Sequence, residues 1–252
     1  MHQRYEGRRS RWRGLIALLI GAVAVFGTGA SPAGASVPGA SVPGVSTAAL
    51  RNFDAVTTVN QKNVWKHLAL VGSQYVIFND GGVIEGPASI QAKWPFLPEQ
   101  FTHDVDSAGI SFSGPGFRWR HTWTKGNQAI VFEDSGIVAG PTVIPSPYDG
   151  LSDYNVPNTP TIYHLAVRGE AYVSFQGYDY QAPLRPLSDF SFLPERFKRD
   201  LDDVSIEIEG ATTKYSFYKG NERIIFDQRG RIIELVGLDA KWPFLNYWRS
   251  TV

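Results

Sequence analysis

The 252-residue chain carries 24 basic and 24 acidic residues, is 13% aromatic and contains no cysteine. Such a balance argues against a general nucleic-acid binder, which needs a basic face. Without thiols there are no disulfide staples, thiolate metal sites or cysteine nucleophiles, so burial alone must hold the folded part together.

In chain order, residues 1–35 read as a secretory leader. Arg8, Arg9, Arg11 and Arg13 form a basic start, Leu15 to Phe26 is an apolar run, and Ala33-Gly34-Ala35 fits an A-x-A cleavage site. The run is shorter than the about 18–20 residues a membrane span needs, so the mature chain is expected to be secreted or extracellular without a span. Arg8-Arg9 hints at twin-arginine export and Ser10-Arg11 departs from it, which leaves the export route open. Past the leader, 19 basic and 23 acidic residues remain, a net charge of −4. Residues 36–49 include most of a tandem Ala-Ser-Val-Pro-Gly repeat and read as a flexible spacer.

From residue 50 onward the chain repeats. Gly72, Gly126, Gly169 and Gly220 each follow an aromatic-rich run, and each is followed six residues later by Phe78, Phe132, Phe175 or Phe226. Successive glycines are 54, 43 and 51 residues apart, a period that marks a repeat architecture. Ile130 to Pro141 overlays Val76 to Pro87 without a gap, and Ala240 to Leu245 is identical to Ala92 to Leu97. Unit one reads as strands at Asp54–Val56, Val64–Leu70, Tyr75–Phe78 and Val83–Ile84, with a glycine turn between the second and third. Unit three is the most degraded. No single unit can bury both faces of its sheet, so the pattern predicts an all-β, four-bladed β-propeller over residues 50–252, with blades near 50–99, 100–151, 152–195 and 196–252.

The phrases Lys214-Tyr215-Ser216-Phe217-Tyr218-Lys219-Gly220-Asn221, Ile224-Ile225-Phe226-Asp227 and Lys241-Trp242-Pro243-Phe244-Leu245 resemble the hemopexin-type repeat. So does Trp94-Pro95-Phe96-Leu97-Pro98 leading into Val105-Asp106-Ser107-Ala108. The resemblance implies a tunnel lined by each blade's first strand, with ions held there largely by main-chain carbonyls. Two departures matter: the disulfide common in animal members cannot form here, and heme carriage in that family uses two such domains, so heme is not implied.

Three sets of residues are candidates for chemistry. His67, His121 and His164 each lie five residues before a unit's glycine, with Tyr215 in the fourth place. As ligands, acids or bases they would serve a pocket or a metal; the alternative is a structural position bonding the next blade's backbone. Asp54, Asp106, Asp153 and Asp203 each lie near the start of a first strand. They could hold Ca²⁺ or another cation at the tunnel, or simply cap local amides. Trp65 and Trp119, interleaved with Lys66, Arg120, His67 and His121, could form a stacking surface or ordinary inter-blade packing.

The expected function is a secreted, monomeric binding module with a tunnel cation and a small molecule, glycan or protein partner on one face. The alternatives are an enzyme that uses the symmetry-related histidines, with or without a metal, and a purely structural surface protein. No nucleophile elbow, zincin motif, phosphate loop or EF-hand loop occurs.

Overall fold

The computed structural model describes residues 50–252 other than 62–63, 114–117, 156–160, 178 and 210–211. The expected leader (1–35) and spacer (36–49) lie outside the described residues.

Four antiparallel four-stranded meanders make up this part of the chain. Blade 1 is β1 (Ala55–Gln61), β2 (Val64–Val71), β3 (Gln74–Asn79) and β4 (Gly82–Ser89). Blade 2 is β5 (Ser107–Ser113), β6 (Arg118–Lys125), β7 (Gln128–Glu133) and β8 (Gly136–Val143). In blade 3, β9 (Gly150–Asn155), β10 (Ile162–Arg168) and β11 (Ala171–Gln176) are followed by a fourth strand, β12, of only Arg185–Pro186. Blade 4 is β13 (Asp203–Glu209), β14 (Thr212–Lys219), β15 (Glu222–Asp227) and β16 (Ile232–Gly237). The first strands β1, β5, β9 and β13 pack against their neighbours around the axis, which makes the assembly a four-bladed β-propeller.

The repeat seen in the sequence is the repeat of the fold. Phe78, Phe132, Phe175 and Phe226 sit directly across from His67, His121, His164 and Tyr215 on the second strand of each blade. Gly72, Gly126, Gly169 and Gly220 open the tight turn between second and third strands at φ of 58°, 55°, 56° and 57°. That left-handed conformation at the first turn position is the reason each unit keeps a glycine there.

Because side chains alternate along a strand, each sheet supplies two seams. In β2, Leu68 and Leu70 enter the seam with blade 2, while Ala69 and Val71 enter the seam with blade 4. Trp94, just after the short helix α1 (Ile90–Lys93), packs on Trp123 and Phe132 of blade 2 and donates its indole N–H to Asp134 at 2.9 Å. Trp242, after α2 (Leu238–Lys241), repeats this on blade 1, packing on Phe78 and donating to Asp80 at 3.0 Å.

Closure of the ring is completed by α3 (Asn246–Thr251). Trp248 donates to Gln74, Arg249 and Arg51 exchange backbone and side-chain hydrogen bonds, and the Arg249 guanidinium lies 4.9 Å over the Phe53 ring.

Candidate functional site

The tunnel is best followed inward from the mouth at which the first strands begin. There Asp54, Asp106, Asp149 and Asp202 form one symmetric row, each accepting a hydrogen bond from the N–H of its blade's turn glycine: Gly72, Gly126, Gly169 and Gly220. With Asp200 they border a shallow cavity of about 470 Å³. Burial raises the carboxyls of Asp54 and Asp202, with the turn-glycine hydrogen bond opposing and a neighbouring aspartate adding in each case.

The four aspartates read as one row in the sequence therefore divide. Asp54 and Asp106 belong to the mouth, where Asp149 and Asp202 complete the set, whereas Asp153 and Asp203 lie deeper. The signal for the missed pair is the distance back from the turn glycine, 18, 20, 20 and 18 residues around the ring.

Asp203 is 1% exposed and turns into the centre of the ring. Its carboxylate accepts from the N–H groups of Val56 (2.5 Å), Leu151 (3.0 Å) and Val204 (2.7 Å), joining blades 1, 3 and 4. These amides lie on the inner edges of the first strands, where no further strand can pair with them. Burial pushes the Asp203 carboxyl well up, against the pull of the three donors. Gly150 makes room, since a Cβ there would lie 2.5 Å from the Asp203 Cα.

Deeper still, Asp153, also 1% exposed, meets Nδ1 of His164 at 2.6 Å through one oxygen, and its other oxygen has no hydrogen-bond partner among the described residues. Gly109 leaves the space that Asp153 fills. Ser152 accepts from the Ile206 N–H, Asn155 from the Phe112 N–H, and the Ser205 hydroxyl approaches that of Thr58. The first strands thus bury several side-chain oxygen atoms among their apolar residues.

The histidine column lies one strand further out and does not converge on a single point. His67, His121 and His164 enter three different seams, each buried, with the imidazole over its own sheet's phenylalanine at 4.9, 4.7 and 4.6 Å. Tyr215 takes the same stacked place on Phe226, and burial, with Tyr154 and Tyr172 nearby, pushes its hydroxyl up to about 12. No group of three or more His, Asp or Glu side chains close enough to share a metal ion occurs among the described residues.

The expected bond to the next blade's backbone is not what holds the imidazoles. His67 Nδ1 pairs with the Thr58 hydroxyl at 2.8 Å and His164 Nδ1 with Asp153, each partner being the residue directly opposite on the same sheet's first strand. For His121 that residue is Ile110, and neither ring nitrogen has a partner among the described residues. Burial depresses His67 to about 3, aided by the Arg223 charge and opposed by Asp80. Burial likewise takes His121 down to about 4, with Asp134 opposing. Both imidazoles are neutral near pH 7.

At the propeller end opposite the acidic mouth, a cleft of about 400 Å³ opens between blades 1 and 2 above His121. Trp119 forms one wall, and Lys66 of blade 1 lies over its ring at 5.8 Å across the seam. Trp65, in the equivalent place on blade 1, does not line this cleft.

No protein-family model and no curated protein matches the sequence. Among solved structures, a plant albumin from Cicer arietinum showing hemagglutination is similar at a TM-score of 0.60 and 13% identity, over 77% of this chain and 97% of that one. A 2S albumin seed protein from Dolichos is similar at a TM-score of 0.60 and 14% identity, with the same shares covered. At such identities the likeness shows the fold alone. The class that the fold itself defines is the four-bladed β-propeller.

Proposed function

We propose that the chain is an exported binding module. Its tunnel holds a hard cation such as Ca²⁺ beside Asp153 and Asp203, and one propeller face takes a small molecule, glycan or protein partner. The observation that carries the cation reading is the second oxygen of Asp153, buried and without a hydrogen-bond partner among the described residues while the first meets His164. Asp203 is another buried carboxylate on the first strands, with no lysine or arginine bonded to it among the described residues.

An ionised carboxylate without a counter-charge is strongly disfavoured inside a protein. Hard cations take six to eight oxygen ligands, and carboxylate, hydroxyl and inward main-chain carbonyl groups are the kind of donor this tunnel offers. When bound, the ion would supply positive charge at the oxygen of Asp153 that His164 does not meet. Asp153 and Asp203 would neutralise it, and Thr58 and Ser205 could orient around it. The mouth aspartates each commit an oxygen to a turn amide and act as structural caps. Support for export comes from the basic start, apolar run and A-x-A site of residues 1–35.

Elemental analysis of the purified full chain, with thermal melts in EDTA and in added Ca²⁺, tests the cation reading. A stoichiometric hard cation is expected, together with a melting temperature that falls in EDTA and recovers with Ca²⁺, a response abolished in Asp153→Asn. A metal-free protein whose melting ignores both additions overturns it. Recovery from the culture medium with an N-terminus near Ser36 tests export.

A further inference from the structure

In the cleft between blades 1 and 2, an opening at the surface coincides with an unmet hydrogen-bonding demand beneath it. The fold accounts for neither by itself. His67 and His164 occupy the same place in their blades, and each is given a polar partner by the first strand. At His121 the corresponding residue is Ile110, so a fully buried ring is left with two nitrogens that have no partner among the described residues. A buried unsatisfied polar group costs about 1–3 kcal/mol, and a native structure keeps such a group only with a reason.

The seam itself also differs from its closest counterpart. Between blades 4 and 1, Lys241 reaches across to Asp80 of blade 1 at 3.5 Å while also touching Glu234 at 3.1 Å, which straps the seam. Lys93 is the corresponding residue between blades 1 and 2, and it turns back to Glu85 of its own blade at 2.6 Å. Asp134, the counterpart of Asp80, keeps its bond from the Trp94 indole, and no ion pair to it from Lys93 occurs among the described residues.

We propose that this cleft binds a neutral saccharide, with Trp119 as the stacking wall and His121 as the hydrogen-bonding floor. The inference rests on the binding-module reading but not on the tunnel cation. Its volume of about 400 Å³ lies within the 300–1,000 Å³ common for ligand sites and suits a small oligosaccharide.

Charge selects the class of ligand. The lining holds Lys66, Lys93 and Arg118 against Glu85, Glu133 and Asp134, and Lys93 and Glu133 already have ion-pair partners. The site has no net charge with which to recognise an ion. A neutral imidazole offers one donor and one acceptor, the complement of a sugar hydroxyl, which both donates and accepts. Fixed carboxylates accept from further hydroxyls, and a half-buried indole face packs the C–H face of a pyranose ring.

The test titrates the full chain, labelled for histidine ring resonances, with maltose, cellobiose, lactose and mannobiose, and with galacturonic acid as a charged comparison. At least one neutral disaccharide is expected to shift the His121 ring signals saturably, with a Kd in about the millimolar range or tighter. Trp119→Ala, at a half-buried surface position, should weaken that binding about tenfold or more, equivalent to about 1.4 kcal/mol. His121→Phe keeps the stack on Phe132 and should also weaken it, whereas Tyr247→Ala, on the distant and 82% exposed Tyr247, should leave it unchanged. If no neutral sugar moves His121, the cleft holds water only and the proposal fails. It fails equally if the charged sugar alone binds, or if Trp119→Ala binds as the parent does. None of these outcomes alters the metal content or the Ca²⁺-dependent melting that test the tunnel.

Discussion

Truncating Trp242 to alanine tests whether burial alone closes the ring. The indole is fully buried, with ring centroids 4.8 Å from Phe78 and 4.9 Å from His67, and the Arg223 guanidinium lies 5.3 Å over it. Removing so large a side chain from a packed site costs about 3–5 kcal/mol. The lost hydrogen bond adds little, because the Asp80 side chain is 66% exposed and water replaces the indole N–H. At about 2–4 °C per kcal/mol for a folded unit of this size, the midpoint should fall by about 10 °C. Circular dichroism melts at pH 7, backed by urea titrations, measure it. Trp94→Ala is the internal standard, since Trp94 fills the same place between blades 1 and 2. If the last blade truly locks onto the first, the two variants fall by similar amounts. A loss below about 3 °C for Trp242→Ala, beside a large loss for Trp94→Ala, would show the last seam to be loosely apposed and would falsify burial as the closing force.

Gly150→Ala should be far more damaging than Gly169→Ala. A methyl at 150 lies 2.5 Å from the Asp203 Cα and 2.8 Å from its carboxylate, so backbone must shift, at a cost of about 3 kcal/mol or more; equal urea midpoints for the two would refute the close approach. At Gly169 nothing lies within 4 Å, and the expected cost of about 1–2 kcal/mol is only that of the left-handed φ of 56°. Stability should also depend on pH through His67 and His121, whose folded values of about 3 and about 4 lie below the ordinary 6.5. In that window the unfolded chain binds more protons, so this stability is complete above about pH 6.5 and is lost as pH falls toward 4. For His121 the difference is on the order of 3 kcal/mol, and His121→Phe should flatten the urea-midpoint slope between pH 7 and 4.5; an unchanged slope would place the loss elsewhere. Finally, Asp106→Ala removes a turn cap and should lower the melting temperature by a few degrees, at about 1 kcal/mol, without changing bound metal. Loss of metal in that variant would move the cation from Asp153 to the mouth.

The fold was legible because its repeat is carried by backbone demands that tolerate little substitution. A left-handed turn needs its glycine, and the stack across the second and third strands needs a ring at Phe78, Phe132, Phe175 and Phe226. The tunnel was less legible because its chemistry depends on register to a single residue. Asp202 and Asp203 are neighbours, yet one caps a turn at the mouth and the other fills the axis, as pleating sends adjacent side chains in opposite directions. Asp153 lies four residues past Asp149, and no spacing shared by all four units marks it. The cleft could not be read from the chain at all. Trp119 and His121 stand out in the sequence, but Lys66, Glu85 and Lys93 join them only once two blades pack.

Where the four blades agree, the residues serve the ring: turn glycine, capping aspartate, stacked phenylalanine, buried indole or its substitute. A function that needs one site must come from positions at which they disagree. The inner-strand row Thr58, Ile110, Asp153 and Ile206 is such a place, opposite an otherwise uniform column of aromatic rings. Thr58 satisfies a histidine, Asp153 does so and keeps a second buried oxygen without a partner among the described residues, and Ile110 offers none to His121 beneath an open cleft. One row of substitutions thus separates a candidate ion site from a candidate ligand site within the same wall of strands. Ile110→Thr should make the distinction measurable: by giving His121 the partner that His67 has, it should weaken sugar binding while leaving the Ca²⁺ response of the tunnel intact. Undiminished sugar binding in that variant would mean that the unmet hydrogen bonds of His121 have no part in recognition.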